Sequence, residues 1–166
     1  MEKPATVRLA LPADLGAITD IYNDAILSTT ATFDTEPRSA AEQQAWFRSH
    51  GGRFAVLVAD LDGVVAGWTS LSRWSDRPAY DDTAETSVYV RREYRGRGIG
   101  RMLEEAVIDH ARRFRFHTLI ARIAGESTES LRLHESLGFV HVGTMKEVGR
   151  KFGRLLDVHM LQKMLD

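Results

Sequence analysis

The 166-residue sequence contains no cysteine. Disulfides, thiolate metal sites, a cysteine nucleophile and an acyl-cysteine intermediate are thereby excluded. Proline is scarce, with 4 residues against 13 glycines, which excludes a collagen-like or linker chain. No run approaches the ~18 apolar residues of a membrane span, so no membrane partner is expected. The opening stretch, Met1 to Thr6, has no apolar segment of signal-peptide type, and a cytoplasmic protein is the expectation. The six histidines show no HxxxH or HExxH spacing, so no metal site is expected. A net charge of −1 gives no bulk attraction for a polyanion, and no nucleic-acid partner is expected.

What is present reads as one globular domain over residues 1–166. Hydrophobic residues make up 43% and charged residues 27%, ordinary usage for a chain long enough to bury its own core. Val7–Leu11 alternates as a short strand. Pro12 follows, and Asp14 is placed to cap a helix over Leu15–Leu27, with Leu15, Ile18, Ile21, Tyr22, Ala25 and Ile26 inward. Thr29–Arg38 reads as loop. Ser39-Ala40-Ala41-Glu42 is a capping box that starts a helix to about Ser49, with Trp46 and Phe47 inward. Strands are expected over Phe54–Ala59 and Val64–Ser72, joined by an Asp62-Gly63 hairpin turn. Ser72–Thr83 is a structured loop and Glu85–Val90 a further strand. Gly98–Phe114 is a helix whose inner face is Ile99, Leu103, Ala106, Val107, His110 and Phe114. Thr118–Ile123 is a strand, and a helix runs from Ser127 or Thr128 to Leu137, closed by Gly138. Val140–Met145 and Leu155–Leu161 complete the set. The fold class is α/β (α+β in some schemes), with a mixed sheet.

The segment Arg95-Gly96-Arg97-Gly98-Ile99-Gly100-Arg101 joins a strand to the longest helix. It is neither GxxxxGK nor GxGxxG, so both common nucleotide readings fail on residue identity. Its physics survives. Glycines let backbone approach a ligand, and successive N–H groups at a helix start make an anion site. Arg95, Arg97 and Arg101 add charge suited to phosphate. The alternative is a tight turn with solvated arginines.

This loop resembles the acetyl-CoA site of the GNAT acetyltransferase superfamily, whose pattern Arg/Gln-x-x-Gly-x-Gly/Ala is matched by Arg95, Gly98 and Gly100. A second block, Ser130-Leu131-Arg132-Leu133-His134-Glu135-Ser136-Leu137-Gly138-Phe139, is similar to that superfamily's helix and turn. Ala84 to Val90, Arg77 to Tyr80, Ile21-Tyr22-Asn23 and Lys151 to Arg154 with Asp157 look like phosphinothricin and methionine sulfoximine N-acetyltransferases. The similarity runs from about Val7 to Leu161. It implies a mostly antiparallel sheet of about seven strands flanked by about four helices. It also implies acetyl-CoA as co-substrate, a small amine acceptor and a homodimer.

On that resemblance the pyrophosphate would lie on the 96–101 backbone, and Val88, Tyr89 and Val90 would meet the pantetheine chain as an added strand. Ser130 joins the cofactor-binding set. Glu85 is the expected general base, its pKa raised by desolvation in the cleft. The alternative for Glu85 is a solvent-facing strand residue. His134 is read either as a proton donor to the leaving thiolate or as a packed, hydrogen-bonded side chain. Trp74, Arg77 and Tyr80, with Glu85, form the expected acceptor site, Arg77 pairing with a carboxylate. Two positions depart from the pattern. Ser127 stands where Asn is usual, and Ser75 follows Trp74 where a basic residue is frequent. Regular alternation puts Glu85 and Ser87 on one face and Val88 and Val90 on the other, an objection to direct contact that a bulge or a water would answer. Other readings are an acetyltransferase of protein N-termini or lysines and a non-catalytic acyl-CoA sensor. Glu85 favours the enzyme, since a binder needs no carboxylate there.

Overall fold

The computed structural model describes residues 3–166. Met1 and Glu2, the first part of the polar opening stretch, lie outside the described residues. The elements follow the order β1 (Thr6–Leu9), α1 (Leu15–Ser28), α2 (Ala40–Arg48), β2 (Val56–Leu61), β3 (Val64–Arg73), β4 (Thr83–Val90), α3 (Ile99–Arg113), β5 (Thr118–Ala124), α4 (Thr128–Ser136), β6 (Val140–Lys151) and β7 (Arg154–Met164). The strands form one seven-stranded sheet in the order β1-β2-β3-β4-β5-β7-β6. Every described pairing is antiparallel except β4 with β5. The mixed, mostly antiparallel GNAT-type sheet expected from the sequence is therefore what folds.

Helices cover both faces. Alternation along β2 sends Val56 and Val58 to one face, where Ile18 and Ile21 of α1 and Trp68 of β3 pack on them. Ala55 and Leu57 go to the other, against Val107, Ile108 and Ala111 of α3. Burying one such Leu, Ile or Val side chain stabilises the fold by roughly 1.5–3 kcal/mol.

Local signals land where physics puts them. Asp62 (φ 54°) and Gly63 (φ 88°) make the left-handed two-residue turn between β2 and β3. Ser39 accepts the Glu42 N–H while the Glu42 carboxylate accepts the Ser39 N–H, the full capping box. Two readings need correction. Asp14 does not cap α1 through its side chain. Pro12–Asp14 forms a short 3₁₀ turn, and the Asp14 carboxylate accepts the Leu11 N–H and pairs with Arg8 at 2.7 Å. In α2 Trp46 and Phe47 are half-buried and pack on the core as expected, and Gln43 is buried beside them. In α3 Phe114 is 40% exposed, while Glu104, Ile108 and Ala111, absent from the expected inner face, are buried. The last two strands are also longer than expected, because register shifts near Gly143 and between Met145 and Gly149 break the alternation that a sequence reading follows.

Candidate active site at the opening between β4 and β5

The β4–β5 ladder is short. Thr83, Ala84 and Glu85 pair with Thr118, Leu119 and Ile120, and beyond Glu85 the two strands part. The β5-facing edge of β4 from Thr86 to Val90 is thus left without a strand partner, and an extended ligand can add to it. A cavity of about 860 Å³ occupies the opening. Val88, Tyr89 and Val90 line it, with Arg95, Gly96, Gly98, Ile99, Gly100 and Arg101 at one end. Ser127, Ser130 and Leu133 of the α4 segment form another wall. Thr29 to Ala31 and, at the β6–β7 turn, Phe152 were not anticipated there and also line it.

The glycine turn is built for an anion. Gly96 (φ 74°) and Gly98 (φ 79°) are both left-handed, a conformation that costs other residues about 1–2 kcal/mol. Gly98 caps α3, and Met102 is the first amide bonded back into the helix, to the Gly98 carbonyl. The amides of Ile99, Gly100 and Arg101 therefore lack intrahelical partners. With the positive end of the helix dipole they form a cradle that suits a pyrophosphate. The arginines are more committed than expected. Arg95 Nε donates to the Val90 carbonyl at 3.1 Å, and Arg101 pairs with Glu105 at 2.9 Å and bonds Ser136 at 3.0 Å. Arg97 lies over the Tyr94 ring, 5.3 Å from its centre, and not among the cavity-lining residues.

Glu85 sits at the apex of the opening, as the last paired residue of β4. Its side chain is 17% exposed. It is not set in an apolar pocket: the Arg122 guanidinium from β5 grips it in a two-point pair, Nε to Oε2 at 2.7 Å and Nη2 to Oε1 at 2.9 Å. The same guanidinium lies 5.8 Å from the Trp74 ring centre. Such a fork fixes both oxygens while leaving each a free lone pair. The β3–β4 register is unbroken from Ala84 to Val90, so no bulge brings Glu85 onto the face of Val88. Three residues of extended strand, about 10 Å, separate the two positions.

Of the expected acceptor residues, Trp74 lies beside the Arg122 guanidinium that holds Glu85, while Arg77 and Tyr80 stand exposed at a 3₁₀ turn; Trp74, Arg77, Tyr80 and Glu85 all lie outside the linings of the cavities at this site.

His134 is placed differently from a proton donor facing the cavity. It is 3% exposed. Its Nδ1 donates to the Ser130 carbonyl at 2.7 Å, and Nε2 faces Glu104 Oε2 at 3.5 Å. Glu104 is fully buried and accepts hydrogen bonds from Thr69 at 3.1 Å and Thr86 at 2.9 Å. Burial works against the imidazolium, but the Glu104 carboxylate and the Ser130 carbonyl outweigh it, and the His134 pKa is raised. His134 thus ties α4 to α3 and to the floor of the sheet, while its helix neighbours Ser130 and Leu133 face the cavity.

Among the described residues, no group of three or more His, Cys, Asp or Glu is disposed to hold a metal ion. None of the helices is long and apolar enough to cross a membrane, again among the described residues.

A parted pair of parallel strands, with a glycine-capped helix start at the mouth, defines an acyl-CoA type of site. The Acetyltransferase (GNAT) family profile matches residues 18–139, and the chain belongs to that family. It is 40% identical over 162 residues to the L-amino acid N-acyltransferase MnaT of Escherichia coli K12, covering 97% of this chain and 94% of that protein. It is also 40% identical to an L-methionine sulfoximine/L-methionine sulfone acetyltransferase of Salmonella typhimurium, over 97% of this chain and 95% of that one. Among solved structures, a phosphinothricin acetyltransferase from Sinorhizobium meliloti in complex with acetyl-CoA superposes with a TM-score of 0.94 at 38% identity, covering 98% of this chain and 89% of the other.

Proposed function

We propose that the protein transfers the acetyl group of acetyl-CoA to the α-amine of a small L-amino acid or analogue, in one direct step. The observation that carries this is the parted β4 edge, with a carboxylate at its closed end and an amide cradle at its open end. On this reading the α3 amides and the Gly96–Gly98 turn bind the pyrophosphate, and the β4 edge at Val88–Val90 orients the pantetheine chain. A backbone N–H there is aimed to stabilise the carbonyl oxygen as charge develops. The thioester supplies the activated acyl group. Glu85, oriented by Arg122, receives the acceptor ammonium and takes one proton, directly or through a water, so that the free amine attacks the thioester carbonyl. The C–S bond then breaks, and CoA leaves as the thiolate, which takes up the second proton that the nitrogen gives up, by way of water. His134 holds α4 in place rather than reaching the sulfur. Arg122 with Trp74 takes over, at the mouth of the acceptor site, the place that Arg77 and Tyr80 were expected to fill. The same reading has the enzyme act in the cytoplasm as a homodimer. Val140, Val142 and Val148 are exposed along the edge strand β6 and offer an apolar face to a second copy.

Two measurements test it. A β-carbon on Gly98 would meet no protein atom within 4 Å, so a side chain there projects into open space beside the cradle, with the left-handed backbone (φ 79°) adding about 1–2 kcal/mol of local strain. Gly98→Val is expected to keep the fold and to weaken acetyl-CoA binding about 10–100-fold, the loss of one or two charge-assisted amide bonds. Unchanged affinity in a folded variant, by calorimetry, removes the cradle from the site. Kinetics with amine and acetyl-CoA both varied should give intersecting double-reciprocal lines. Parallel lines with a trapped acetyl-enzyme would contradict direct transfer.

A further inference from the structure

The β6–β7 turn carries a strained aromatic residue at the large cavity. Lys151 and Arg154 close the β6–β7 ladder, and Phe152 and Gly153 make the two-residue turn between them. Both turn residues are left-handed, at φ 50° and 72°. Turns of this kind favour Asn-Gly, because those residues adopt such a backbone at little cost. Gly153 fits that preference and Phe152 breaks it. Core packing does not explain the exception, since Phe152 is 52% exposed. Its side chain lines the cavity instead, and backbone strain collects where a ligand is held.

The turn is fastened on both sides. On one side Lys151 is 5% exposed, and its ammonium donates to the Thr32 carbonyl at 2.8 Å. The same ammonium lies 5.2 Å from the centre of the Phe152 ring. The Thr32 hydroxyl meets the Tyr22 hydroxyl at 3.1 Å and bonds the Tyr89 hydroxyl of β4. Phe33, next in the chain, packs on Gly149 so closely that a β-carbon there would overlap its ring. On the other side Arg154 grips Glu126, Nη2 to Oε2 at 2.8 Å and Nε to Oε1 at 3.2 Å. The segments so joined are walls of the cavity. Thr29, Thr30 and Ala31, just before Thr32, line it, and so do Glu126 and Arg154. Lys151 is not among the lining residues, so it acts on the cavity through Thr32 and Phe152.

We propose that Phe152 is a contact residue for the pantetheine arm of acetyl-CoA, and that Lys151 is a positioning residue that clasps the α1–α2 loop to the β6–β7 turn so that the ring covers the arm. The inference rests on the reading of the large cavity as the acetyl-CoA site. An arm added to the β4 edge pairs its amides with the strand and leaves an apolar flank, which an aromatic ring covers. The strain at Phe152 is the counterpart of that role, because a residue that relaxes the turn loses the ring.

Phe152→Asn separates binding from folding. Asn suits the left-handed position, so urea unfolding should find the variant at least as stable as wild type. Calorimetry with acetyl-CoA alone should show binding weakened about tenfold, and stopped-flow dissociation should place most of that loss in the off-rate. Lys151→Met keeps the length of the side chain and loses the donor. It should weaken acetyl-CoA binding by a similar factor, whereas Lys151→Arg, which keeps a donor, should stay within about threefold of wild type. If Lys151→Met folds poorly, Phe152→Asn carries the test. Wild-type affinity in either folded variant, Phe152→Asn or Lys151→Met, would overturn the clasp. A Phe152→Asn protein markedly less stable than wild type would make the ring a packing residue and overturn it as well. A wild type that binds no acetyl-CoA would overturn the reading of the cavity and the clasp together. One that binds it as described but acetylates no amino acid would remove only the acceptor class and leave the clasp standing.

Discussion

Glu85→Gln is expected to lower kcat at neutral pH by about 10²–10⁴-fold, the usual weight of a general base. The dissociation constant for acetyl-CoA should not change, because Glu85 stands at the apex of the β4–β5 opening, away from the Gly96–Arg101 cradle. Glutamine keeps the length and accepts one of the two Arg122 N–H groups through its single amide oxygen, but it cannot accept the ammonium proton. The measurement is kcat against pH for both proteins. Near-full kcat in Glu85→Gln would make the Glu85–Arg122 pair a strand clamp only, and the base would have to be a water or another group in the cavity. The structure discourages His134 as that substitute, since both of its nitrogens are engaged.

Glu104→Gln should cost about 1–3 kcal/mol of stability, because His134 then stays neutral and what is lost is a buried hydrogen-bond partner rather than the balance of a charge. Its more diagnostic effect is on the pH dependence. In wild type the folded-state pKa of His134 is raised above its ordinary 6.5. The folded protein therefore binds more protons than the unfolded chain in that window. The pair's contribution is fully present below about pH 6.5 and is lost as pH rises through the folded pKa. Without the carboxylate, burial dominates and favours neutral His134, so the slope should reverse, with stability falling as pH drops. Urea unfolding at several pH values reads both slopes. The same negative slope in wild type and Glu104→Gln would show that the His134–Glu104 contact carries no charge.

The sequence by itself determined the features that depend on a few adjacent residues. The Asp62-Gly63 turn, the Ser39 capping box and the glycine start of α3 each follow from backbone conformations that only those residues adopt cheaply. The β4–turn–α3 order, and with it the anion cradle, was legible for that reason, as was the resemblance carried by its motif. Tertiary structure decided which charged side chain met which. Arg122 reaches Glu85 from 37 residues away, and Thr69 reaches Glu104 from 35. Glu104 on a helix reads as one more polar residue beside Glu105, because helical periodicity places it on the margin of the apolar stripe. Only the approach of β3, β4 and α4 turns that margin into a sealed interior. Lys151 and Thr32 likewise meet, 119 residues apart, because the β6–β7 turn settles beside the α1–α2 loop. The sequence specifies local backbone geometry. The packing of distant elements sets burial and partner choice, and these decide whether a carboxylate is a base, a clamp or a buried counter-ion.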